Sequence, residues 1–234
     1  MPQVSRLFLL ACLPAILFGN PIFTGSDGSG PVQLLANNGT NIGTIGQADG
    51  TAAASNDSGG FFVATPGDTS STINVYDSSR NLVNSFSFTP TTDTRASAGY
   101  VTDLSWGSTG SLWVSTYSGE VYHLSGAGTV LSSFDTGVTA PGVGFDGSNL
   151  YTSTGPGFLS PNPFIDQRDA SGAVLKTINT GLNDTLGVGY DSDTNTLWVG
   201  GIDALTQVSL TGAILQSFAV DGTHYGVDVA LPPR

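Results

Sequence analysis

One pattern constrains this chain more than any other. A short, largely apolar triplet with an aromatic at its centre recurs five times, as Ile22-Phe23-Thr24, Phe61-Phe62-Val63, Leu112-Trp113-Val114, Leu150-Tyr151-Thr152 and Leu197-Trp198-Val199. A second element recurs in step with it, a turn followed by an apolar pair and then Ile or Phe. It reads NGTNIGTI to Ile45, SRNLVNSF to Phe86, AGTVLSSF to Phe134, SGAVLKTI to Ile178 and TGAILQSF to Phe218. The clearest unit spans Thr185 to Gly222, where four short runs rich in β-branched and aromatic residues are separated by polar turns. Such runs are too short and too closely spaced for helices, and they read as strands.

The first strand of each unit completes the pattern. It is PGVGFD at Pro141 to Asp146 and LGVGYD at Leu186 to Asp191, and it is more divergent around Asp103 to Trp106 and Thr51 to Ser55. It appears once more as YGVDVA at Tyr225 to Ala230, after the last complete unit, whereas the unit beginning near Ile22 has none of its own. Equivalent positions lie roughly 40 to 50 residues apart, the period of propeller blades. The expected fold is therefore all-β: a five-bladed propeller of four-stranded antiparallel blades, closed by the C-terminal strand pairing with the N-terminal blade. Closure is required because an open ring would leave a strand edge and a blade face in water.

The hairpins GVGFDGSNLYT and GVGYDSDTNTLWV resemble the inner hairpin of NHL and YVTN-type β-propeller repeats. The first unit, PIFTGSDGSGPVQLLANNGTNIGTIG, and the ending VDVALPPR resemble secreted bacterial propeller proteins of the kind associated with PEP-CTERM sorting tails. The resemblance covers about Ile22 to Leu231 and implies a fold without an activity. The sequence ends at Arg234 without the apolar helix and basic end of a sorting tail, so sorting by that route is not expected.

Composition narrows the partners. The 18 acidic and 6 basic residues give a net charge of −12, and charged residues make up only 10% of the chain. Nucleic acid and anionic membrane surfaces are thereby disfavoured as partners on electrostatic grounds. Arg6 followed by the apolar run Leu7 to Phe18 has the charge order of a secretory signal peptide and is too short to span a bilayer. Residues 1–19 are read as that signal and 20–234 as one propeller domain, secreted to the extracellular space or periplasm and monomeric. Cys12, the only cysteine, follows Leu9, Leu10 and Ala11 in a loose lipobox, so lipidation there is the alternative fate of this segment. Removal of the signal leaves no thiol for a disulfide or metal site.

Candidate chemistry is sparse. DSDTN at Asp191 to Asn195 spaces oxygens as an EF-hand loop begins, but Ile202 stands where the bidentate Glu belongs. A hairpin turn accounts for it, as for NDSGG, GSTG and DGSN in other units. No cofactor is expected, calcium being the one ion these patterns admit. Asp103 and Asp228, on inner strands, are the candidates for an axial cation, although Gly142, Gly144, Gly187 and Gly189 at matching sites supply no ligand and suit close strand packing instead. His123 falls in a third strand, as a packing residue. His224, just before the final inner strand, is placed at the mouth of the expected channel and is the candidate general acid or base.

Loop lengths point to a face. Every long insertion, Ala64 to Ser71, Thr89 to Ala98 and Ser153 to Pro163, falls on the second-to-third or blade-to-blade connections, which share one face of a propeller. Variable loops on a rigid scaffold are where binding groups concentrate. Tyr100, Tyr117, Glu120, Phe158, Leu159 and His224 are the ligand-binding candidates on that face. The functional expectation is a secreted or cell-surface binding module for a protein, glycan or small molecule. The alternative is a lyase or hydrolase with a metal-assisted or His-based site at the channel mouth. Export carries its own test: mass spectrometry of the secreted protein should find a first residue between Asn20 and Asp27. An intact Met1 on protein from the cell interior would contradict it.

Overall fold

The computed structural model describes residues 20–26, 30–45, 49–90, 95, 97–107, 110–155 and 161–230; the N-terminal segment read as a signal lies outside them. The described residues form twenty strands in five four-stranded antiparallel sheets. Blade 1 uses both ends of the chain: β1 (Ile22–Gly25), β2 (Val32–Leu35) and β3 (Asn41–Ile45) join β20 (Gly226–Val229). Closure is as the repeat predicts, with Ile22 opposite Val229 and Gly25 opposite Gly226. Blade 2 holds β4 (Ala52–Ser55), β5 (Phe61–Thr65), β6 (Ser71–Tyr76) and β7 (Leu82–Phe88). Blade 3 holds β8 (Val101–Gly107), β9 (Ser111–Thr116), β10 (Glu120–Ser125) and β11 (Val130–Asp135). Blade 4 holds β12 (Val143–Phe145), β13 (Leu150–Ser153), β14 (Phe164–Arg168) and β15 (Val174–Asn179). Blade 5 holds β16 (Val188–Asp191), β17 (Thr196–Gly200), β18 (Ile202–Ser209) and β19 (Ile214–Thr223).

The core is a set of wedges, one at each blade junction. Second strands are sandwiched between blades, so their central aromatics are buried: Phe23, Phe62, Trp113, Tyr151 and Trp198 are all at most 5% exposed. Three of them meet an inner-strand ring of the next blade, Phe62 on Trp106 at 5.4 Å, Trp113 on Phe145 at 6.0 Å and Tyr151 on Tyr190 at 6.0 Å. Each such ring buries about 150 to 250 Å², which is why the aromatic sets the strongest repeat in the sequence.

Hydroxyl groups tie the inner ends of the blades to their neighbours. Thr51 Oγ1 donates to Val101 O at 2.9 Å, Thr102 Oγ1 to Pro141 O at 3.1 Å, and Ser153 Oγ to Leu186 O at 2.5 Å. Inner strands approach so closely that a Cβ on Gly142 would run into the backbone of Leu186 and Val188, and one on Gly226 into Thr51 and Ala52. The GVG element is thus a packing requirement at the axis.

Outer strands carry a different device. In every blade the fourth strand has a bulge at the same place, leaving Ile42, Val83, Leu131, Leu175 and Leu215 without a partner opposite. These five residues are between 46% and 59% exposed, so the repeated apolar pair of the sequence lies on the rim. A bulge re-aims the outer edge and hinders it from templating another strand.

Short turns such as Asn56 to Gly60 and Asp77 to Asn81 gather on one face, where both chain ends also leave blade 1. Longer connections gather on the other. Deleting residues 223–234 would remove β20, expose the edge of β1 and open the ring. We expect aggregation or loss of cooperative unfolding, read by size-exclusion chromatography and thermal melts. A truncated monomer melting within a few degrees of the intact chain would refute closure as a stabilising constraint.

Candidate functional site

The axis is where the sequence places the candidate chemistry. Asp103, on the inner strand of blade 3, is fully buried. Its Oδ1 accepts N–H bonds from Leu104 at 2.9 Å and Val227 at 3.0 Å, and its Oδ2 accepts from Val143 and Val188, each at 3.0 Å. One carboxyl group therefore ties the inner strand of blade 3 to those of blades 4, 5 and 1. Gly142, Gly187 and Gly226, each just before one of these donors, let the inner strands approach closely enough to meet around it, since a Cβ at each would run into the backbone of the next blade. Asp228, on the inner strand of blade 1, lies two residues beyond Gly226, with Oδ2 accepting from Ser55 N–H of blade 2 at 3.3 Å. Burial pushes the carboxyls of both Asp103 and Asp228 well above the usual range; for Asp103 the N–H bonds of Val188 and Val143 pull against that, and the charge of Asp228 adds to it.

This arrangement does not resemble a cation site. The donors around Asp103 present the positive ends of N–H dipoles where a metal would need to sit, and the described residues hold no cluster of three metal-ligating side chains. An open channel at this level is replaced by a carboxyl plug. The DSDTN stretch is consumed locally: Asp191 Oδ1 accepts from Asp193 N–H at 3.0 Å and its Oδ2 from the Thr194 hydroxyl at 2.9 Å.

His224 is placed in the wall and not at an open mouth. It is 1% exposed, with Nδ1 at 2.7 Å from Thr24 Oγ1 and Nε2 at 3.1 Å from Val220 O. A carbonyl accepts only, so Nε2 carries the proton and Nδ1 accepts from the threonine hydroxyl. Burial lowers its pKa, which favours this neutral form. The ring joins the last strand of blade 5 to the second strand of blade 1. His123 stacks on Trp113 at 4.2 Å with the planes 10° apart, as a packing residue.

Three of the loop-face candidates do come together at the top of blade 3. Tyr100 and Tyr117 meet edge to face at 6.1 Å, and Tyr117 N–H donates to Tyr100 O at 2.8 Å. Glu120 stands beside them, 3.6 Å from Arg95, which also reaches Asp135 at 3.2 Å. His224 belongs to a different junction, between blades 5 and 1. Phe158 and Leu159 lie outside the described residues.

A cleft that sequence reasoning did not single out lies on the same long-loop face, at the top of blade 5. Val199, Thr206 and Ser217 stand in register across β17, β18 and β19 and form its floor with Ala204. The connection Leu182, Asn183 and Asp184 forms one wall, and Gly201 with Ile202 another, around about 220 Å³. That wall is anchored to the neighbouring connection, since Asn162 N–H donates to Asn183 O at 2.8 Å and Thr185 bridges Gly155. The third and fourth strands of blade 5 are 8 and 10 residues long, longer than those of any other blade, and they build this rim. The sequence signal available was the Gly200-Gly201 pair followed by an extended third strand.

The fold is similar to that of a protein of unknown function from Bacteroides caccae, known from its crystal structure. The two share 12% identity with a TM-score of 0.59, over 92% of this chain and 100% of that one. That likeness speaks to fold alone. No family model matches the chain, and no curated protein matches it.

The axial carboxyls yield a pH-dependent prediction. Their folded-state pKa values lie above the unfolded value of about 3.9, so their contribution is fully present below that pH and is lost as pH rises through the raised values. Denaturant titrations from acidic to neutral pH should show wild-type stability falling relative to Asp228→Asn, and parallel profiles would place Asp228 at an ordinary pKa. Asp103→Asn keeps the shape but aims an amide NH₂ at two backbone N–H groups. At roughly 1 to 3 kcal/mol for each buried donor left unpaired, it should lower stability by several-fold more than Asp228→Asn.

Proposed function

We propose that this chain is an exported propeller of the NHL and YVTN-like kind that works as a binding module through its long-loop face. The observation that carries the reading is a division of labour between the two ends of its polar inventory. Asp103, Asp228 and His224, the groups a hydrolase or lyase would use at the axis, are spent on holding blades together by bonds to backbone and hydroxyl. The long-loop face instead offers a cleft of mixed polarity at blade 5 and an aromatic and charged cluster at blade 3. Concave sites lined by apolar side chains with a few convergent polar groups are the usual form of small-ligand sites, and a five-bladed ring holds them rigid.

Export is supported by the apolar run Leu7 to Phe18 behind Arg6 and by a chain with a single cysteine. No helix among the described residues is long and apolar enough to cross a membrane. The acidic surface favours neutral or cationic partners over polyanions.

The test is a fragment library titrated into isotope-labelled protein and followed by amide chemical shifts. Saturable shifts should cluster at Asn183, Asp184, Gly201 and Ile202, or at Tyr100, Tyr117 and Glu120. Shifts confined to the short turns, such as Asn56 to Gly60 or Asp77 to Asn81, would move the binding face to the opposite side and overturn the reading.

A further inference from the structure

The cleft of blade 5 has a composition that selects among ligands. Its walls combine the apolar side chains of Leu182, Val199, Ile202 and Ala204 with the polar ends of Asn183, Asp184, Thr206 and Ser217. No lysine, arginine or histidine lines it, so nothing there compensates a phosphate or carboxylate, and Asp184 would repel either. Its volume of about 220 Å³ is below that of sites for drug-sized ligands, roughly 300 to 1,000 Å³. A nucleotide or an extended peptide is therefore too large to be enclosed, while a single six-membered ring is of suitable size.

The polar groups are of the kind that reads hydroxyls. Thr206 Oγ1 and Ser217 Oγ lie 2.8 Å apart and share one hydrogen. Between them the pair retains a second hydroxyl hydrogen and further lone pairs. Asn183 supplies an amide with both donor and acceptor, and Asp184 supplies acceptors only. A ligand matched to this set needs neighbouring donors and acceptors on one edge and C–H surface on its faces. From this we infer that the cleft binds a neutral polyhydroxylated ring, a single hexose unit, with its C–H face against Leu182 and Ile202 and its hydroxyls on Asn183, Asp184, Thr206 and Ser217. The inference rests on the reading of the long-loop face as the binding face and names the ligand class for it.

Gly201 provides a clean probe. Its backbone is not in the left-handed region, and an added Cβ would meet nothing nearer than Asp184 O at 3.7 Å and Ala204 O at 3.8 Å. Gly201→Leu should therefore fold while filling the cleft. The experiment titrates the full propeller with the methyl glycosides of glucose, galactose, mannose and N-acetylglucosamine, with glucose 6-phosphate and butylammonium as charged comparators. Amide shifts and calorimetry are the readouts. At least one neutral glycoside should bind saturably at millimolar concentration, shift Asn183, Asp184, Gly201 and Ile202, and lose tenfold or more in affinity in Gly201→Leu. Should that variant fail to fold, Ser217→Ala, on an exposed outer-strand position, should weaken the same glycoside several-fold. Stronger binding of butylammonium or glucose 6-phosphate would overturn the inference, as would sugar binding unchanged by both variants. If fragments shift the long-loop face but no neutral glycoside binds, the hexose assignment fails and the binding-module reading stands. If fragments do not shift that face either, both fail together.

Discussion

The structure depends on a single carboxyl group at its axis. Five inner strands converge there, each with one edge paired to its own blade and the other turned inward, so every second N–H points at a space too narrow for ordinary solvation. Unpaired, each of those donors costs about 1 to 3 kcal/mol. Asp103 takes four of them, from blades 3, 4, 5 and 1, and Asp228 takes Ser55 N–H from blade 2. At the level of Asp103 the matching positions Gly142, Gly187 and Gly226 carry no side chain, and at that of Asp228 neither do Gly144 and Gly189, because a Cβ at each would run into the inner-strand backbone of the next blade.

Away from the axis the fold relies on repetition. Each junction is a small core closed by a second-strand aromatic, and no junction buries enough by itself to stand alone, so stability comes from completing the ring. His224 acts at the junction where the chain must join itself. It links Val220 of blade 5 to Thr24 of blade 1 beside the strand β20 that shuts the ring. At the opposite end of each blade, the bulged outer strand leaves an apolar residue in water, a cost accepted to spoil a regular edge.

What could be read from the sequence was what recurs locally. The aromatic triplets, the GVG strands and the displaced last strand are periodic, so five weak signals reinforced one another and gave blade count, register and closure. Asp103 and His224 occur once each. Their partners are distant in sequence, Val227 lying 124 residues from Asp103 and Thr24 lying 200 from His224, and no local pattern marks such a bond. A lone carboxylate or imidazole near an expected channel reads as chemistry, and only the placement of its partners shows it as a strut. The blade 3 cluster was partly legible, because loop position alone brought Tyr100, Tyr117 and Glu120 to one face. The blade 5 cleft was not, since its floor is a row across three strands, Val199, Thr206 and Ser217, whose alignment exists only after pairing.

That contrast bears on where variation is tolerated. At the axis, each inner strand packs against the inner strands of both adjacent blades, and a substitution on one must be answered on its neighbours. At the top of blade 5, the long β18 and β19 rise beyond the repeat, with Asp203 at a φ of 53° and its Oδ1 holding Gly222 N–H at 2.8 Å. A non-glycine residue in the left-handed region is maintained only where surrounding bonds over-determine it. The rim of the cleft is thus held by bonds of its own, built onto a blade whose inner strand is already fixed by Asp103. Side chains there can change without disturbing the axis, which makes this rim, among the described residues, a part of the molecule open to shaping by a ligand.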